Sequence, residues 1–144
     1  MPTISLLHGP NLNLLGQREV DIYGTTTEAD LVALVEKTAA PYGITVEFFQ
    51  SNHEGALVER VHAARSRVNG IIVNGGALSH YGWSLHDALA TFEGPVIEVH
   101  LSNTGRREPW RHTSVLTPGS TGTITGLGPH GYELATEAIA RLIG

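Results

Sequence analysis

A chain of 144 residues has room for one domain with a core able to fold alone, and two full domains would be cramped. Hydrophobic residues make up 41% and charged residues 16%, a globular rather than a disordered composition, and the lack of cysteine removes disulfides, thiolate metal sites and cysteine nucleophiles together. A formal net charge of −5 argues against a general nucleic-acid binder, so any bound anion must be met by a local group of arginines such as Arg106, Arg107 and Arg111.

In chain order, "TISLLH" (Thr3–His8) reads as a buried strand. It leads into "GPNLNLLGQREVDIYG", residues 9–24, which has neither helical nor strand periodicity. Gly9, Gly16, Gly24 and the pinned backbone at Pro10 mark this stretch as a shaped, hinged loop. "TEADLVALVEKTAAPYG" switches to helical spacing, with Leu31, Leu34, Val35 and Ala39 on one side. Thr27 and Asp30 have the spacing of a capping box, and Pro41 with Gly43 closes the helix. Residues 44–50, "ITVEFFQ", form a second strand. Ser51 and Glu54 are expected to open a second helix with an apolar stripe of Leu57, Val58, Val61 and Ala64.

"GIIVNGG", residues 70–76, is a third strand whose uninterrupted Ile71, Ile72 and Val73 suit burial on both faces. A short helix near residues 84–92 follows, then a fourth strand, "PVIEVHLSN" (residues 95–103), running into a polar loop. "GTITGLG" supplies a fifth strand and "GYELATEAIARLIG" a closing helix with Leu134, Ala135, Ala138, Ile139 and Leu142 at helical spacing. No apolar run approaches the roughly 18 residues of a membrane span. The N-terminus lacks the features of a signal peptide, so a cytoplasmic location is expected.

Strands alternating with helices predict a single α/β domain, a doubly wound, flavodoxin-like parallel sheet of five strands. Ligands in such sheets sit beyond the carboxyl ends of the strands, which directs attention to residues 8–24, 74–84 and 100–112. These segments offer Asn11, Arg18 and Tyr23, then Asn74, Ser79 and His80, then His100, Ser102, Asn103, Arg107 and Arg111.

Glu98 and His100 are two apart on a strand, so their side chains leave the same face. A carboxylate beside an imidazole orients it and favours its protonated form, as a general acid requires; a plain polar pair at a strand end has the same spacing. Tyr23 is a candidate base. A free phenol has a pKa near 10, so its use at neutral pH calls for roughly 4 kcal/mol of stabilisation of the anion. One guanidinium at about 4 Å supplies a comparable term at intermediate dielectric. Arg18 lies in the same loop, and Arg107 and Arg111 can approach from the third segment; without them Tyr23 reads as a loop anchor. Backbone amides at Leu101 and Ser102, with the Asn74 side chain, can cradle a carboxylate, although an ordinary turn also fits. Asn11 can hold a water or an enolate oxygen, or bond its own turn. A base and an acid on different segments, with anion-binding groups between them, suit elimination of water without a metal.

At these residues the chain resembles the type II 3-dehydroquinate dehydratases, lyases of the shikimate pathway. The likeness runs from "GPNLNLLGQRE" and "YG" through "QSNHEG", "NGGALSH" and "IEVHLSN" to "RREPWRHTS" and "GLGPHGYELA". It implies anti elimination through an enolate, with no cofactor and no metal. It makes Tyr23 the base at carbon 2, Arg18 its activator on a mobile lid spanning about residues 16–24, His100 the acid and Glu98 the group that orients it. Asn11 supports the enolate; Asn74 and the Leu101 and Ser102 amides hold the substrate carboxylate; His80 and Arg111 meet its hydroxyls; Arg107 supports the tyrosine. Asp87 matches a residue that reaches a neighbouring subunit's site in a dodecamer of trimers. His8, Val20 and Gly105 depart from the family pattern, which usually has Asn, Pro and His there.

Two rival readings use the same fold. One is a flavin-binding or signalling module, for which "STGT" (residues 120–123) resembles a phosphate loop. The other is a metal hydrolase using His80, His86, Asp87 and His100.

Overall fold

Alternating β and α segments appear in the expected order in a computed structural model that describes residues 1–17 and 19–144. Strands β1 (Thr3–His8), β2 (Thr45–Gln50), β3 (Gly70–Asn74), β4 (Val96–His100) and β5 (Gly122–Thr125) are joined by helices α1 (Val20–Tyr23), α2 (Glu28–Ala39), α3 (Glu54–Ala64), α4 (Trp83–Ala90) and α5 (His130–Ile143). Helix α1, a single turn inside the stretch 9–24 that shows no periodicity, departs from the loop expected there, one turn being too short to leave a pattern. The strands form one five-stranded sheet in the order β2-β1-β3-β4-β5, with every neighbouring pair parallel. This is the flavodoxin-like topology.

Because side chains alternate across a strand, the central strands feed two cores. On one face Ile4, Leu6, Ile72, Ile97 and Val99 meet Leu31 and Val35 of α2 and Tyr132, Ala135 and Ile139 of α5. On the other, Leu7, Ile71, Val73 and Val96 meet Leu57 and Val61 of α3 and Leu85 and Leu89 of α4. No helix among the described residues is long and apolar enough to cross a membrane.

The start of α2 is the capping box expected of it: Asp30 N–H donates to Thr27 Oγ1 at 3.1 Å, and Thr27 N–H donates to Asp30 Oδ2 at 3.0 Å. Its end runs through a 3-10 turn to Gly43, at φ 70°. The second helix, α3, opens at Glu54 as expected, but Ser51 does not cap it. His53 is the N-cap of α3, Ser51 Oγ accepts from His53 N–H at 3.0 Å, and Glu54 instead accepts from Leu85 N–H at 3.1 Å. The orphan amides in the first turn of α4 offer that carboxylate a better partner than its own helix does.

The buried face of α5 also differs from the expected stripe. Tyr132, Ala135, Thr136, Ile139 and Ala140 face inward, whereas Leu142 is 56% exposed and Leu134 and Ala138 are half-buried. Tyr132 supplies the bulk of that face while small residues let the helix lie close to the sheet. The third and fourth strands end at Asn74 and His100, earlier than expected, because short 3-10 turns take over beyond them.

Candidate active site

The loops leaving β1, β3 and β4 come out on one edge of the sheet and line a cleft open to solvent. It is lined by Asn11, Tyr23, Asn74, His80, His100, Leu101, Ser102, Arg107 and Arg111. Glycine makes this meeting possible. A Cβ on Gly9 would lie 2.2 Å from the Gly75 carbonyl oxygen, and Gly76 adopts φ 58° with the Pro10 carbonyl pressed against it. Asn11 takes φ 68°, makes no side-chain capping bond to its own turn, and is among the residues lining the cleft.

Tyr23 and Arg107 meet although 84 positions apart: Arg107 Nη1 donates to Tyr23 Oη at 2.5 Å and to Ser102 Oγ at 3.2 Å. The guanidinium carbon stands 5.1 Å from the centre of the Tyr23 ring. Arg107 has only 9% of its side chain exposed, with Glu19 and Glu108 carboxylates at 3.7 and 3.6 Å and the His112 ring donating to its carbonyl oxygen. These partners pin the guanidinium and share its charge. Arg18 lies outside the described residues.

His100 and Glu98 do share one face of β4. His100 Nε2 is 2.6 Å from Glu98 Oε2, which leaves Nδ1 as the ring nitrogen free to serve the cleft. Ser114 donates to Oε2 and Thr117 to Oε1 of the same carboxylate, each at 2.5 Å. Burial pushes the Glu98 carboxyl up, but the bonds from His100, Ser114 and Thr117 outweigh it and hold it below the ordinary carboxylate value.

A depressed carboxylate stabilises the fold fully above its unfolded-state pKa, and that contribution is lost as pH falls through the folded-state value. The double variant Ser114→Ala, Thr117→Val removes hydrogen bonds to a charged group, each worth roughly 1.5–3 kcal/mol. Urea unfolding across pH is expected to show lower stability at neutral pH and an acid decline that begins at higher pH than in the parent. Curves that superimpose would contradict this account of Glu98.

His80 donates from Nδ1 to the Thr113 carbonyl, with 2.8 Å between the two atoms. Burial pushes its pKa down, with the His100 and Arg111 charges acting the same way against the Thr113 bond, so the ring is neutral near pH 7. Its Nε2 is then an acceptor. Arg111 stacks on Trp110, 4.0 Å from the ring centre, and donates to Glu108 at 3.1 Å. Asn74 turns its Oδ1 to the Gly76 N–H at 3.1 Å.

Asp87 does not join the cleft of its own chain. It is 84% exposed and bonds His86 at 3.1 Å. The residues proposed for a metal do not come together either, since no group of three or more His, Cys, Asp or Glu fit to hold an ion exists among the described residues. Residues 120–123 lie at the amino end of β5, the opposite edge from the cleft, and Thr121 there bonds Val96 through both backbone and side chain. Sequence reasoning missed Ser114, Thr117 and the Thr113 carbonyl, which return from a loop to hold Glu98 and His80, and it left Tyr132 out of the α5 face.

The family model described as "Dehydroquinase class II" matches residues 2–140. A 3-dehydroquinate dehydratase of Roseiflexus castenholzii is 54% identical over 134 residues, 93% of this chain and 85% of that protein. A catabolic 3-dehydroquinase of Aspergillus oryzae is 51% identical over 138 residues, 96% of this chain and 90% of that protein. Among solved structures, the type II dehydroquinase from Propionibacterium acnes superposes with a TM-score of 0.93 at 42% identity, covering 98% of this chain and 97% of that one.

Proposed function

Given that the chain belongs to the class II dehydroquinases, we propose that it removes water from 3-dehydroquinate to give 3-dehydroshikimate, by anti elimination through an enolate. The dehydratase activity follows from the family; the assignment of steps to residues is our reading of the cleft. Its main support is the Arg107 Nη1–Tyr23 Oη bond at 2.5 Å in a cleft also lined by His100, which Glu98 holds from behind.

In this reading Asn74 and the Leu101 and Ser102 amides receive the substrate carboxylate, while His80 and Arg111 meet the ring hydroxyls. The neutral His80, with Nε2 as acceptor, takes a hydroxyl proton in a hydrogen bond, and the Arg111 guanidinium donates. Tyr23 Oη, its negative charge stabilised by Arg107 and by Arg18 from the lid, removes the proton from carbon 2. The electron pair moves toward the ketone oxygen, and Asn11 supports the enolate through a water. His100 then gives its Nδ1 proton to the hydroxyl on carbon 1. The carbon–oxygen bond breaks, water departs, and a double bond conjugated with the ketone forms. Glu98 holds the ring throughout and offsets the positive charge it carries before the transfer. Tyr23 has gained one proton and His100 has lost one, so return of a proton through solvent resets the site.

Asp87, exposed in the single chain, reaches the site of a neighbouring copy in a dodecamer built from trimers; light scattering on the purified protein measures that mass. The activity itself is read by ultraviolet detection of the conjugated enone when protein meets 3-dehydroquinate. The absorbance is expected to rise equally with and without a chelator. No rise, or a rise abolished by chelation and restored by a divalent ion, would contradict the reading.

A further inference from the structure

At the carboxyl ends of β1 and β3, His8 and Asn74 are paired in register, and a chain of buried polar groups links them through α5 and α2. Asn74 Nδ2 donates to Tyr132 Oη at 3.0 Å, Tyr132 Oη lies 2.9 Å from His8 Nε2, and His8 Nδ1 lies 2.8 Å from Glu28 Oε2. His8 and Tyr132 are fully buried and Asn74 is 3% exposed, yet only Asn74 lines the cleft. We propose that Glu28, His8 and Tyr132 are positioning residues that orient the Asn74 carboxamide toward the substrate carboxylate, an inference that rests on the carboxylate assignment given above.

The direction of every bond follows from the two ends. A backbone N–H can only donate, so the Gly76 bond fixes which Asn74 atom is Oδ1 and turns Nδ2 to Tyr132. An amide nitrogen can only donate as well, so Tyr132 Oη accepts from it, and the phenolic proton finds its acceptor on His8 Nε2, left bare when Nδ1 donates to the Glu28 carboxylate. His8 Nε2 is therefore an acceptor, and its proton sits on Nδ1, donated to Glu28. Burial raises the Tyr132 phenol well above the ordinary tyrosine value, which keeps that proton on the oxygen.

The middle of the chain is enclosed, and only its Glu28 end is half-buried. Phe48 and Tyr132 meet the His8 ring edge-on, with centroids 5.3 and 5.7 Å away, so water has little room to replace a lost partner. A proton on His8 Nε2 would take away the acceptor of the Tyr132 hydroxyl proton and so loosen the phenol that the carboxamide leans on. One Nδ2 proton is spent on Tyr132, and the other has no partner among the described residues, which suits a ligand in the cleft. His8 and Tyr132 touch no part of the cleft and are not catalytic residues; their role is to hold one group still.

The test compares two competitive ligands, a product-like ring acid and its counterpart with hydroxymethyl in place of carboxylate, by calorimetric titration. Asn74→Ala and Tyr132→Phe are each expected to cut the preference for the acid about tenfold, the equivalent of one hydrogen bond to a charged group. In Tyr132→Phe, KM is expected to rise about tenfold while kcat changes less than about threefold. A Tyr132→Phe protein that melts earlier but keeps the parent's preference and KM would overturn the proposal, reducing the chain to a structural one. If Asn74→Ala itself keeps the preference, the carboxylate assignment fails first and the relay falls with it. Should Tyr132→Phe not fold, the ¹⁵N resonances of His8 in the intact parent decide. A protonated Nδ1 with a bare Nε2 is expected, and a protonated Nε2 overturns the relay.

Discussion

Tyr23→Phe is expected to lower kcat by about a thousandfold or more while KM changes only a few-fold. The substitution removes one oxygen and keeps the ring, so packing at the end of α1 is preserved. Arg107 stays in place through Ser102 Oγ at 3.2 Å and the flanking Glu19 and Glu108 carboxylates. Binding groups on the far side of the cleft are untouched. What disappears is the only atom that this account assigns to carbon 2, and a melting temperature within about 2 °C of the parent would separate that loss from unfolding. Turnover within tenfold of the parent would remove Tyr23 from the role of base.

His100→Ala is expected to lower kcat by about 10²–10⁴, the range for removing a positioned general acid. It also strips a partner at 2.6 Å from a fully buried carboxylate, leaving Glu98 to Ser114 and Thr117, so a stability loss of roughly 1–3 kcal/mol accompanies the rate loss. The two variants should differ in kind. With Tyr23 intact, His100→Ala can still form the enolate and return it, so incubation in D₂O is expected to place deuterium at carbon 2 of unreacted substrate. Tyr23→Phe should do neither. Exchange at carbon 2 in Tyr23→Phe, or its absence in His100→Ala together with full loss of turnover, would contradict the division of roles.

The elements were legible where periodicity carries the information. Five alternating segments with Ile71, Ile72 and Val73 unbroken at the centre define a parallel sheet buried on both sides, and the sheet dictates which loops meet. That rule groups Asn11, Tyr23, Asn74, His80, His100, Arg107 and Arg111 from sequence alone, and all seven line the cleft. Partners are another matter, because spacing reports the face a side chain leaves and not what it meets. Arg107 bonds the phenol from 84 positions away, a distance in sequence that spacing alone cannot bridge, while Arg18 lies outside the described residues. Ser114 and Thr117 hold Glu98 from a loop with no period of its own.

The same limit explains the helix errors. Glu54 had the spacing of a capping box, but a neighbouring helix offered it the Leu85 amide, and tertiary competition of this kind leaves no local trace. Leu142 had the spacing of a core residue, yet the buried side of α5 is centred on Tyr132, Ala135 and Ile139. His8 carried a visible signal as a departure from the family pattern. Its meaning depends on Tyr132, 124 positions away, and on Glu28 at the start of α2.

The central claim is that a tyrosine oxygen and a histidine nitrogen act on opposite faces of one bound ring, with a guanidinium stabilising the first. A crystal structure with a ring ligand that mimics the enolate measures this most directly. Tyr23 Oη is expected within about 3–3.5 Å of the atom standing for carbon 2 on one face, still bonded to Arg107, with His100 Nδ1 beside the departing oxygen on the other. Both groups on the same face, or Tyr23 Oη turned away from that carbon with the ligand in place, would contradict it.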